Sequence, residues 1–138
     1  MRCGYSDDID QKDAAMWRGQ VASAIRGKRG QQLLKDALAA LDAMPEKRLI
    51  RDELVTTDGD VCLLGAVGKA RGVDDIAKID PEEHDVLANR FNVASCLIQE
   101  IEYINDEYVI NPHLETPEKR FERVRKWLVE NIATVAAS

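Results

Sequence analysis

The stretch Glu83–Ile101, EHDVLANRFNVASCLIQEI, decides how the chain is read. Val86, Leu87, Ala88 and Phe91 gather on one side of a first helix. Ala94, Leu97, Ile98, Ile101 and then Ile104 recur at spacings of three and four on a second. Asn92 lies between the two runs, and asparagine is among the few residues other than glycine that accept a left-handed backbone, so the turn is placed there. The small side chain of Ala88 lets the second helix cross closely over the first. Asp80-Pro81-Glu82-Glu83 starts the first helix with a capping acid, a proline at the first helical position and negative charge at the positive end of the dipole. The spacing is that of a helix-turn-helix corner over residues 83–104.

Such a corner raises the question of DNA. Its second helix offers Ser95 and Gln99, which can read base edges, and Arg90 is the one cation close in sequence. The same helix also carries Glu100, Glu102 and Tyr103, and no Lys or Arg. Specific DNA binding ordinarily rests on phosphate contacts from Lys and Arg. A two-helix corner that only buries its apolar faces has the same pattern, and we place that reading first.

Outward from the corner the chain is mostly helical. Thr116-Pro117-Glu118 repeats the capping logic and opens a last helix to about Ala133, with Phe121, Val124, Leu128 and Ile132 inward and Trp127 beside them. Lys119, Arg123 and Lys126 form a basic stripe on its other side, flanked by Arg120 and Arg125. Toward the N-terminus, a first helix starts near Asp10 or Asp13 and runs to Arg26, and a second runs from Gln31 to Met44, where Pro45 stops it. Gly27-Lys28-Arg29-Gly30 breaks the two apart, since each glycine costs about 1 kcal/mol in a helix interior. Arg26, Lys28 and Arg29 at this break, with Lys119, Arg120, Arg123 and Lys126, are the candidate partner-binding residues. A solvated helix face is the ordinary meaning of such charges; an acidic or phosphate-bearing partner is the sharper one.

The middle of the chain differs. Leu49-Ile50 and Leu54-Val55 precede Thr56-Thr57-Asp58-Gly59, and Val61-Cys62-Leu63-Leu64 follow, so a short β-hairpin near residues 49–64 is expected around the Asp-Gly turn. Leu64–Arg71, LGAVGKAR, reads as a brief helix with close-packing glycines at Gly65 and Gly68. Neither GxGxxG nor GxxxxGK[ST] is present, so these glycines are not read as a phosphate loop. The expected fold is mainly α: a compact single-domain bundle of about six helices spanning residues 1–138, with residues 1–9 a loose N-terminus.

Composition narrows the function classes. The chain has 138 residues, 45% hydrophobic and 32% charged, with a formal net charge of −6. That length can bury a core unaided, and that charge disfavours non-specific nucleic-acid binding. No apolar run reaches the roughly 20 residues of a membrane span. Cys3, Cys62 and Cys96 are odd in number and far apart, which fits reduced thiols in a cytoplasm, with Cys62 and Cys96 as small core residues. His84 and His113 sit in separate segments and form no zinc or metalloprotease spacing, and His84 reads as solvated. No nucleophile elbow, kinase or nucleotide-fold signature occurs. No enzyme activity, cofactor or metal is expected. Asn105-Asp106-Glu107 could form a site, but capping a helix end and fixing the following loop is its simpler role.

WRGQVASAIRGKRGQ, MPEKRLIRDELVTTDGDVCLLGAVGKARG, NDE and ETPEKRFERVRKW together make the chain resemble a family of small uncharacterised proteins of tailed bacteriophages and prophages. The DGDVCLLGAVGKARG block is the most specific part. The resemblance implies expression in the cytoplasm of a bacterial host and carries over no catalytic or binding residue. The function expected is that of a non-enzymatic accessory protein that binds a host or phage protein. A small helix-turn-helix transcriptional regulator using Arg90, Ser95 and Gln99 is the alternative.

Overall fold

The computed structural model describes residues 11–107, 109 and 111–133. The expected loose N-terminus at 1–9 lies outside them. Six α-helices are found among the described residues: α1 (Gln11–Arg26), α2 (Lys28–Ala43), α3 (Leu63–Ala70), α4 (His84–Phe91), α5 (Ser95–Asp106) and α6 (Pro117–Asn131). Two 3-10 turns, Ile76–Lys78 and Pro112–Leu114, complete the order. The mainly α class and the helix count are as the apolar periodicity predicts. No helix is long and apolar enough to cross a membrane among the described residues.

A single core joins the helices, and α3 is its centre. Leu63, Leu64, Gly65, Ala66, Val67 and Gly68 are all buried, so this helix is covered on every side, as a helix apolar all round must be. The helix α2 brings Leu33, Leu34, Ala37 and Leu41 against it, α5 brings Leu97, Ile98 and Ile101, and α6 adds Phe121, Val124 and Leu128. The helix α1 lies on α2 and α5 but sinks only Val21 fully.

Two glycines make the tightest approaches. A Cβ on Gly65 would stand 1.9 Å from the backbone oxygen of Leu54, and one on Gly30 1.9 Å from that of Ala24. Gly30 therefore belongs to the first turn of α2, which rides directly on the last turn of α1. The expected break over residues 27–30 is narrower than the sequence suggests: only Gly27 leaves the helical conformation. Glycine reads as a helix breaker when isolated, and here it is kept for close packing.

The expected β-hairpin does not form. One antiparallel bridge, Val55–Val61, is all that stands among the described residues of 49–64. Hydrogen bonds from Ile50 N to Val61 O (2.9 Å), Thr56 N to Asp60 O (2.9 Å) and Cys62 N to Leu54 O (3.2 Å) hold the segment. Two features stop a ladder from growing. Asp52 sits at φ 70 and bends the outgoing arm, while α3 begins at Leu63 and leaves the return arm no length. The Gly59 turn at φ 90 is real; its strands are not.

The α4–α5 corner turns at Asn92, in the left-handed conformation at φ 56 and ψ 47. The start of α4 lies later than Asp80-Pro81 predicts. The Asp80 carboxylate accepts from Glu82 N at 2.9 Å and its carbonyl from Glu83 N at 2.9 Å, which closes a turn ahead of the helix. At α6 the Thr116 hydroxyl accepts from Lys119 N at 3.2 Å, the cap the sequence predicts.

Candidate functional site

The candidate DNA-reading residues do not form a basic surface. Arg90 is exposed and paired with the carboxylate of Asp75, which it holds below the ordinary aspartate range. Ser95 and Gln99 are half-buried and line a shallow hollow with Glu82, Glu83, His84 and Asp85. Nor is the acidic character of α5 an outer face. Glu100 is only 9% exposed, and Glu102 is bonded to His84 Nε2 at 2.9 Å. His84, expected in solvent, is drawn down onto α5 by this contact. A helical wheel of α5 alone cannot show that α1 packs beside it and α4 folds back over it.

The basic stripe of α6 divides in two. Lys119 and Lys126 are exposed, and Lys126 lies 3.8 Å from Glu130. Arg120 and Arg123 turn inward, which corrects their assignment to a partner surface. Arg120 is 3% exposed and donates to Leu49 O at 3.0 Å and to Glu115 O at 3.4 Å. Arg123 grips the Glu115 carboxylate with Nε at 2.7 Å and Nη2 at 2.9 Å, and reaches the carbonyls of Ile104 and Asn105. The two guanidiniums, Arg123 first, hold Glu115 below the usual glutamate range. In the α1–α2 turn, Arg26 contacts Ser23 at 3.5 Å and Arg29 donates to Asn92 at 3.2 Å, so Arg29 braces the α4–α5 corner. Lys28 is exposed.

Asn105 and Asp106 belong to the same buried frame. The Asn105 side-chain oxygen accepts at 3.1 Å from the backbone N–H of Leu63, the first residue of α3, and the Asn105 side-chain nitrogen donates to Ile50 O at 2.9 Å and to Asp106 at 2.6 Å. From sequence, the pair is expected to fix the loop after α5. Instead it fixes the loop that leads into α3, a partnership across more than forty residues that no local motif encodes. Asp106 is 7% exposed, and burial raises its carboxyl above the ordinary aspartate value, against the hydrogen bond from Asn105.

A carboxyl raised on folding costs stability above its unfolded value, fully so once pH exceeds the folded one. Asp106→Asn should therefore be neutral or stabilising at neutral pH, and lose that advantage as pH falls toward 3.8. Urea unfolding at the two pH values checks it; a gain that grows in acid would contradict the assignment.

Burial disfavours the thiolate at both described cysteines, Cys62 and Cys96. Burial pushes Cys62 up to about 12, and desolvation also raises Cys96. Among the described residues no group of three or more His, Cys, Asp or Glu is placed to hold a metal.

Among the hollows of ligand size, the least open has an apolar floor and charged groups at its rim. Its volume is about 350 Å³, and its walls come from the segment of residues 44–48 that follows α2, the turn at 59–61, and α3 at Ala66 and Lys69. Met44, Pro45, Val61 and Ala66 supply an apolar floor, with Glu46, Arg48, Asp60 and Lys69 around it. Arg48 donates to Asp60 through Nε at 3.1 Å and Nη2 at 2.8 Å, and Nη2 also lies 2.8 Å from Glu46. These carboxylates, Asp60 foremost, raise Arg48 further above the arginine range. Lys69 Nζ makes one long bond, 3.4 Å to Gly59 O.

None of these residues stands out in the sequence as a site. Pro45 reads as a helix stop and Gly59 as a turn residue, both correctly, and each local role hides the shared cleft. No spacing motif in the sequence joins MPEKR to DGDV…GK. No protein-family model, curated protein or solved structure matches the chain.

Proposed function

We propose that the protein is a non-enzymatic accessory protein of the phage type its sequence resembles, which works by binding a host or phage protein at the cleft of residues 44–48, 59–61 and 66–69. One contrast carries the reading. Asp106, Asn105, Glu115, Arg120, Arg123 and Cys62 are bound into the frame or buried. The cleft joins an apolar floor to open charged groups, the composition of a recognition surface.

The experiment is a pull-down from bacterial host lysate with the immobilised protein and with its Lys69→Glu variant. A protein retained by the former and lost by the latter is expected. Retention of nothing above background would count against the proposal.

A DNA-binding regulator has the α4–Asn92–α5 corner in its favour and less else. Arg90 is neutralised by Asp75, and Ser95 and Gln99 stand among acids. We expect no mobility shift of duplex DNA at low salt. A complex that weakens steeply as salt rises, and weakens again in Arg90→Glu, would favour the regulator instead.

A further inference from the structure

We propose that α1 is the contact face for a second copy of this chain, the two α1 helices lying antiparallel about a two-fold axis between Gly19 and Gln20. The inference is independent of the cleft. Met16 is 57% exposed on the outer side of α1. Beside it lies an open hollow of about 710 Å³, lined by Met16, Gly19, Ser23 and Ala24 of α1 and by Ala94 and Cys96 at the start of α5. Apart from Met16 and Gln20, the side chains that line it are small, so one face carries both a knob and a hole.

Symmetry identifies the occupant. Met16 and Ser23 are two helical turns apart on one side of α1, about 10 Å along its axis. An antiparallel copy centred midway sets its own Met16 beside Ser23, Ala24, Ala94 and Cys96, and receives this Met16 in the same place. Each copy then fills the hollow of the other, the self-complementarity that an isologous pair requires. Charge follows the same order. The sequence around the start of α1 holds Asp7, Asp8, Asp10 and Asp13 against Lys12, while Arg26, Lys28 and Arg29 gather at its end. Antiparallel packing brings each acidic end to a basic one and opposes the two helix dipoles, whereas a parallel pair sets like charges together. Gly19 gives a third sign. Among the described residues, nothing beyond its own helical backbone lies within 4 Å of where its Cβ would stand, yet glycine inside a helix costs about 1 kcal/mol. A missing side chain that the fold does not use lets a second helix approach. One helix pair is a small interface, so micromolar association is expected.

Sedimentation equilibrium of the full chain at rising concentration tests this. A reversible monomer–dimer equilibrium that weakens as salt rises is expected. Met16→Glu should lower the association at least tenfold, while Val129→Glu, at an exposed apolar residue of α6, should leave it unchanged. Gln20→Cys, beside the axis, should form a disulfide-linked dimer with glutathione disulfide as oxidant. Arg18→Cys, exposed on the opposite side of α1, should crosslink no more than the unsubstituted protein. A monomer at every concentration, a dimer indifferent to Met16→Glu, or equal crosslinking of the two cysteine variants would overturn the proposal. A monomer whose Met16→Glu variant loses a protein captured in the pull-down would overturn it in favour of a different occupant of the same face.

Discussion

Gly65→Ala is expected to cost about 3 kcal/mol of folding stability, a large share of the roughly 5–15 kcal/mol of an ordinary domain. The added Cβ meets the backbone oxygen of Leu54 at 1.9 Å, with the Leu54 carbonyl carbon at 2.9 Å and Val61 Cβ at 3.2 Å. A side chain could rotate away; the backbone of the 54–62 segment cannot, because Leu54 O accepts from Cys62 N and Val55 is bridged to Val61. The helix α3 must then leave its seat at the centre of the core, or the segment must. Gly19→Ala is the control. Nothing lies within 4 Å of its Cβ, so alanine should stabilise α1 by about 0.5–1 kcal/mol through backbone entropy. Urea unfolding reads both, and equal effects would contradict the packing described.

Arg120→Ala is expected to cost about 3 kcal/mol, within the range for breaking one side of a buried ion pair. The substitution strips Leu49 O of its guanidinium and leaves Glu115 to Arg123 alone. It also opens a void where a 3%-exposed side chain had been. Acid should act on the same group. Glu115 is lowered on folding, so its contribution is fully present above the ordinary glutamate value of 4.5 and is lost as pH falls through the lower folded value. Glu115→Gln should lower stability at neutral pH and flatten its decline in acid. An unchanged acid slope would show that Arg123 and Arg120 do not hold this carboxylate.

These two variants also mark how far the sequence could be read. The helices are legible because their apolar residues repeat with the helical period, and α6 is legible to its first residue because Thr116-Pro117 encodes both cap and start. Asn92 is legible because few other side chains accept its backbone. The hairpin is misread because an Asp-Gly turn specifies a reversal and leaves the conformation of the return arm open. Here that arm is taken up at once by α3. Arg120 and Arg123 are misread for a related reason. A basic stripe on one helix looks solvated until Glu115 and the carbonyls of Leu49, Ile104 and Asn105 arrive from elsewhere in the chain. The cleft escapes notice because its parts lie on three segments, each with a sufficient local explanation.

The proposed contact surface is the cleft, and not the basic residues of α6. The most direct measurement compares the affinity of the captured partner for Lys69→Glu and Lys119→Glu, two exposed lysines given the same charge change. At least a tenfold loss is expected for Lys69→Glu and little change for Lys119→Glu, or about 1.4 kcal/mol between them. Equal affinities, or a loss confined to Lys119→Glu, would contradict it.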